Sequence, residues 1–190
     1  MQDAAAGHAP GWHARWERCA RTRDGADYRI RPIRTDDIER DRDFIAGLSE
    51  VSRYRRMMGS MRAASPSLLD RLVHVDYRRS MAFVAVVDEP EHERIIGVAR
   101  YAAETASNEA EFAVAVSDAW QSRGVATHLL LHLADYAREQ GLGRLWGTIL
   151  ADNVPMLRLA RRLGMPMRRS PQDATLVEAS WNLRSNSEHT

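Results

Sequence analysis

Two carboxylates open the chemical reading. Glu109 and Glu111 stand two apart in the run Glu109-Ala-Glu-Phe-Ala-Val-Ala-Val116. That run alternates as a strand does, so Glu109, Glu111, Ala113 and Ala115 share one face and Phe112, Val114 and Val116 the other. A carboxylate placed among apolar neighbours suits proton transfer. Shortly afterwards comes Gln121-Ser-Arg-Gly-Val-Ala126, leading into a helical pattern. Gly124 would let the backbone come close to a ligand. The N–H groups of Arg123, Gly124, Val125, Ala126 and Thr127 would point out of the helix start without internal partners, and a pyrophosphate could satisfy several of them. Arg123 could add a charge-assisted contact. A plain tight strand-to-helix turn has the same signature, so both readings stand at this point.

Other residue types narrow the chemistry. His128 and His132 lie four apart, the spacing of a metal pair, but no Glu follows His128 and no third ligand is evident. No metal is expected. Cys19 is the single cysteine, which excludes an intrachain disulfide and fits a reducing compartment. All 27 basic residues are arginine. The absence of lysine excludes a P-loop phosphate lysine, a Schiff-base lysine and a pyridoxal-phosphate lysine.

The elements that must position these groups follow from periodicity. Tyr28 to Ile33 alternates as a strand, and Thr35 is expected to cap a helix carrying Phe44, Ile45 and Leu48. A helical stretch from about Glu50 to Met58 is Arg-rich, and Ser65-Pro66 would open another. Strands are expected at Met81–Val87, Ile95–Ala103 and Ala110–Val116. A helix with the stripe Val125, Leu129, Leu133, Tyr136 and Ala137 ends at Gly141. Leu145–Leu150 reads as a strand. Asn153 caps a helix that buries Met156, Leu159, Ala160 and Leu163. Thr175–Leu183 reads as a last strand. Consecutive strands point to antiparallel pairing, and the strand–helix–strand unit at 110–150 to one parallel crossover in a mixed α/β sheet.

The 190 residues suit one domain, expected at 28–184, with an N-terminal extension at 1–27 (a short docked helix or a frayed tail) and a disordered tail at 185–190. The opening residues lack the apolar core of a secretory signal, and nothing approaches eighteen consecutive apolar residues. A cytoplasmic protein with no membrane partner is expected. The net charge of +1 gives no reason to expect nucleic acid. Residues 28–80 carry 12 Arg against 8 acids, 81–117 carry 2 against 7, and 118–169 carry 8 against 4. Such an alternation suits a polyanionic cofactor beside a cationic co-substrate, or ordinary solvated charge.

Three stretches bring these observations together: Ala110–Val116, Trp120-Gln-Ser-Arg-Gly-Val-Ala-Thr-His-Leu-Leu130, and Asp152-Asn-Val-Pro-Met-Leu-Arg-Leu-Ala-Arg-Arg-Leu-Gly-Met165. They resemble the GNAT superfamily of acyl-CoA-dependent N-acyltransferases, most closely the GNAT domain of bacterial protein lysine acetyltransferases. Ser52–Arg56, Val75–Ala85 and Ile95–Tyr101 fit the same group, and the resemblance runs from about Tyr28 to Leu183.

The resemblance implies a GNAT-type, mostly antiparallel sheet of six to seven strands, splayed in the middle and flanked by helices, with acetyl-CoA lying in the splay. Backbone groups of Val114, Ala115 and Val116 would pair with the pantetheine arm. Gln121 and the loop Arg123, Gly124, Val125, Ala126 and Thr127 would hold the pyrophosphate. Asn153 would contact the cofactor near its thioester, although it equally suits a plain helix cap. Glu111 stands in the family's general-base position, with Glu109 as the second candidate. The family's tyrosine acid falls at Ala160, so here it is missing. The activity implied is acetyl transfer to a primary amine, plausibly a protein lysine. The alternatives are a small-molecule or antibiotic acceptor and a non-catalytic acyl-CoA sensor; a homodimer is left open.

Overall fold

A computed structural model describes residues 11–57, 72–90, 92–104 and 107–183. Its strands are β1 (Arg18–Arg21), β2 (Asp27–Pro32), β3 (Ser80–Asp88), β4 (Glu93–Ala103), β5 (Glu109–Val116), β6 (Arg144–Leu150), β7 (Met167–Arg169) and β8 (Leu176–Asn182). They form one sheet in the order β1-β2-β3-β4-β5-β6-β8-β7. Every neighbouring pair is antiparallel except β5 and β6. The described helices are α1 (Trp12–Arg15), α2 (Ile38–Ala46), α3 (Glu50–Met57), α4 (Val125–Glu139) and α5 (Val154–Arg162). None is long and apolar enough to cross a membrane.

β3 shows why the sequence folds this way. Its residues Met81 to Val86 are all buried. Met81, Phe83 and Ala85 pack into a cluster with Leu129 and Leu133 of α4. Ala82, Val84 and Val86 pack on the opposite face with Phe44 and Ile45 of α2. A strand covered on both faces reads as a continuous apolar run rather than an alternating one.

Eight strands exceed the six to seven expected. The additions are β1 and β7, both at sheet edges. β1 has the sequence Arg-Cys-Ala-Arg and lies largely in solvent, so it carries no period-two signal. The stretch expected as an appendage at 1–27 therefore supplies a strand. It also supplies core: Trp16 is 4% exposed, with ring centroids 4.7 Å from Tyr136 and 5.3 Å from His132. Thr35 opens a 3₁₀ turn instead of capping α2 directly. The backbone N–H of Arg34 donates to Asp37 Oδ2 at 2.8 Å, and the Asp37 carboxylate accepts two bonds from the buried Arg31 guanidinium at 2.7 and 2.8 Å. The helix expected from Ser65 and the tail at 185–190 lie outside the described residues.

The parallel β5–β6 ladder has only three rungs: Glu109 with Arg144, Ala110 with Leu145, and Glu111 with Trp146. β5 stays paired with β4 as far as Val116, and β6 stays paired with β8 as far as Leu150. Past Glu111 the sheet opens between these two halves.

Candidate active site

The opening forms a cleft of about 920 Å³. One wall is Phe112 to Val116 of β5, the other Thr148 to Leu150 of β6, with Asn153, Met156 and Leu159 from the start and inner face of α5. Gly124, Ala126 and Thr127 line its end. The β5 edge that β6 leaves free has no strand partner among the described residues.

The turn entering α4 is shaped by two left-handed residues, Ser122 at φ 60° and Gly124 at φ 103°. A side chain at Gly124 would be strained by that φ alone. The first α4 amide with a helical partner is that of His128, which donates to Gly124 O at 3.1 Å. The N–H groups from Arg123 to Thr127 precede that bond and meet no protein acceptor among the described residues. Free amides at a helix start suit an anion, and the described residues lining the cleft include five arginines (Arg23, Arg55, Arg100, Arg158 and Arg162) and one carboxylate.

That carboxylate is Glu111, at the last rung before the strands part. Its side chain is exposed, not enclosed by apolar neighbours. Glu109 does not line the cleft. Arg144 binds it at 2.7 Å and binds Glu178 of β8 at the same distance, tying three strands together.

Of the ten residues expected at a cofactor, eight line the cleft: Val114, Ala115, Val116, Gln121, Gly124, Ala126 and Thr127, with Asn153 at the N-cap of α5. Two do not. Val125 is 1% exposed and belongs to the core. Arg123 turns away: its Nε donates to Asp24 Oδ1 at 2.9 Å, and its guanidinium lies 4.5 Å over the Trp120 ring. That bond holds the Asp24 carboxyl down at about 2. The Gln121 side chain is also committed, donating to Val116 O and to Ser52 Oγ at 3.0 Å each. Asn153 Oδ1 accepts from Met156 N at 3.3 Å and so caps α5, while the residue still lines the cleft.

The tyrosines and histidines considered for the chemistry are engaged elsewhere. Ala160 is fully buried. Tyr101 lines the cleft, but its hydroxyl donates to Arg78 O at 3.1 Å and burial pushes its pKa far up. The Tyr136 hydroxyl donates to Tyr77 O, and burial raises it likewise. Tyr77 is itself buried and donates to Ile33 O at 2.9 Å. His128 and His132 do not converge: His128 Nδ1 meets Tyr28 Oη at 2.6 Å, and His132 Nε2 meets Trp16 O at 2.9 Å.

Sequence reasoning missed the arginines of the cleft. Arg158 and Arg162 stand one helical turn apart beyond Asn153, a spacing that could have revealed them. Arg23 comes from a hairpin about a hundred residues away and had no local signal.

The sequence model of the Acetyltransferase (GNAT) family matches residues 50–165. An acetyltransferase of Pseudomonas aeruginosa is 42% identical over 154 residues, covering 81% of this chain and 83% of that protein. Acetyltransferase Pat of Mycolicibacterium smegmatis is 30% identical over 185 residues, covering 90% of this chain but 55% of that protein. The chain thus spans about half the length of that relative. Among solved structures, the GNAT domain of S. lividans PAT superposes with a TM-score of 0.82 at 31% identity, over 90% of this chain and 99% of that one.

Proposed function

The chain belongs to the GNAT family of acetyltransferases, and on that footing we propose that it moves an acetyl group from acetyl-CoA to a primary amine by direct attack, with a protein lysine as acceptor. The observation that carries the reading is the make-up of the cleft among the described residues: an unpaired strand edge along one wall, free helix amides at its end, and five arginines to one carboxylate in its lining. CoA joins an amide-bearing arm to a polyanionic nucleotide, and these residues fit both parts. The backbone of Val114 to Val116 would hold the arm. The amides of Arg123 to Thr127 would hold the pyrophosphate, and Asn153 would approach the thioester end. When bound, acetyl-CoA supplies a thioester carbonyl open to attack and a thiolate as leaving group.

The protein's own part is proton handling. A lysine-type amine has a pKa near 10.4, so only about one in a thousand is nucleophilic near neutral pH. Glu111, the carboxylate of the cleft lining, takes that proton directly or through water. Glu109, bound to Arg144, is not given the role. With Ala160 in place of an acid and the Tyr101 proton held by burial, the leaving thiolate is protonated by water or by the proton the ammonium gives up. The protein acceptor rests on the sequence resemblance to protein lysine acetyltransferases.

The test is CoA thiol release from acetyl-CoA in the presence of a bacterial lysate split by size. Release driven by the large fraction is expected. Release driven only by the small fraction would replace the protein acceptor with a small amine. Tight acetyl-CoA binding with no release from either fraction would favour a sensor.

A further inference from the structure

We propose that Arg23, carried on the β1–β2 hairpin, is a phosphate-binding residue for the nucleotide half of CoA, in the place that Arg123 was expected to fill. The inference rests on the function proposed above.

The hairpin tip is built to hold its shape. Thr22 N donates to Ala26 O at 2.9 Å and Gly25 N to Thr22 O at 3.0 Å. Thr22 Oγ1 accepts from Ala26 N at 2.8 Å, and the residue is 4% exposed. The tip docks on the cleft's end: Arg23 N donates to Arg123 O at 3.1 Å. The next residue, Asp24, engages the Arg123 guanidinium at 2.6 and 2.9 Å. That pair neutralises the cation of the loop itself. A phosphate arriving at the amides from Arg123 to Thr127 would therefore find Arg123 already bound to a carboxylate.

The same hairpin restores the charge. Arg23 lines the cleft, its side chain is exposed, and no acceptor engages its guanidinium among the described residues. Its backbone is fixed by the bond to Arg123 O, so the side chain starts from the rim of the amide cluster. A guanidinium free to form charge-assisted, bidentate bonds suits a phosphate better than one already paired. The stretch that contributes it precedes residues 50–165, where the family's sequence model matches.

The test is calorimetric titration of CoA, 3′-dephospho-CoA and pantetheine into the full chain and its Arg23→Ala and Arg23→Lys variants. The expected result is a rise of about tenfold in the Kd for CoA in Arg23→Ala, in line with loss of one charge-assisted bond. Arg23→Lys should recover part of that loss, and pantetheine, which carries no phosphate, should bind all three alike. A penalty that persists with 3′-dephospho-CoA assigns Arg23 to the pyrophosphate, and one that vanishes assigns it to the 3′-phosphate; both support the proposal. An unchanged Kd for CoA in Arg23→Ala overturns it, as does an equal loss of pantetheine affinity, which would mark a structural role. Failure of the unaltered chain to bind CoA would overturn the proposed function, and this inference with it.

Discussion

A Cβ on Gly147 would lie 2.9 Å from the carbonyl oxygen of Phe112 and 3.0 Å from its ring. Gly147 follows Trp146, the last β6 residue paired with β5. β6 lies this close to β5 because position 147 has no side chain, and the buried Phe112 ring fills the angle from which the strands diverge. The Phe112 carbonyl cannot retreat easily, since Phe112 is paired with Tyr101 in the β4–β5 ladder. Gly147→Ala should cost about 1–3 kcal/mol, the usual penalty for forcing a methyl group into a packed site. A lower urea midpoint with an unchanged slope would report it. A midpoint equal to that of the unaltered chain would show that the close approach does not shape the opening.

Asp118 ties α3 to the loop before α4. Its Oδ2 accepts from Ser49 N at 2.9 Å, and its Oδ1 accepts from the hydroxyls of Ser49 and Ser52 at 2.8 Å each. The Ser49 backbone N–H leads in holding this carboxyl below its ordinary range. Because the folded pKa is depressed, the tie is present above the unfolded value and weakens as pH falls through the folded one. Asp118→Ala should release the start of α3 and speed amide hydrogen exchange over residues 49–55, with little change in global stability because the site is exposed. Unchanged exchange in that segment would contradict the tie.

His132 makes the stability depend on mild acid. Burial pushes its imidazole below 6.5, with the Trp16 carbonyl opposing, Arg18 adding to the depression and Asp135 countering it. Nε2 donates to Trp16 O, and Nδ1 is buried with no partner among the described residues, so a second proton would find no acceptor. Below pH 6.5 the unfolded chain binds the proton first. Stability should therefore fall as pH drops below 6.5 and show no contribution from this group above it. Denaturant unfolding at a series of pH values should show that slope reduced in His132→Gln. An identical slope in the variant would assign it to other groups.

The parts of the fold legible in sequence were those with a local physical cause. α4 declared itself through its apolar stripe and the glycine before it, and β3 through a run buried on both faces. β1 left no trace, because an exposed edge strand has no reason to alternate. The site was legible where a backbone feature carried it: the β5 wall, the loop amides, and the Asn153 cap. It was illegible where a distant partner decides a side chain's use. Arg123 reads as a phosphate contact until Asp24, 99 residues earlier, takes its guanidinium. Glu109 and Glu111 share a face in sequence, and only the parallel register with Arg144 separates them.

The central claim is that Glu111 takes the acceptor's proton, and the most direct test is Glu111→Gln with acetyl-CoA affinity and steady-state turnover measured side by side. Glu111 is exposed and its side chain makes no hydrogen bond or ion pair among the described residues, so the variant should fold and bind acetyl-CoA as the unaltered chain does. Its kcat should fall by about 10²- to 10⁴-fold, the usual cost of losing a general base. Turnover at the original rate with acetyl-CoA still bound would contradict the account and remove Glu111 from the chemistry.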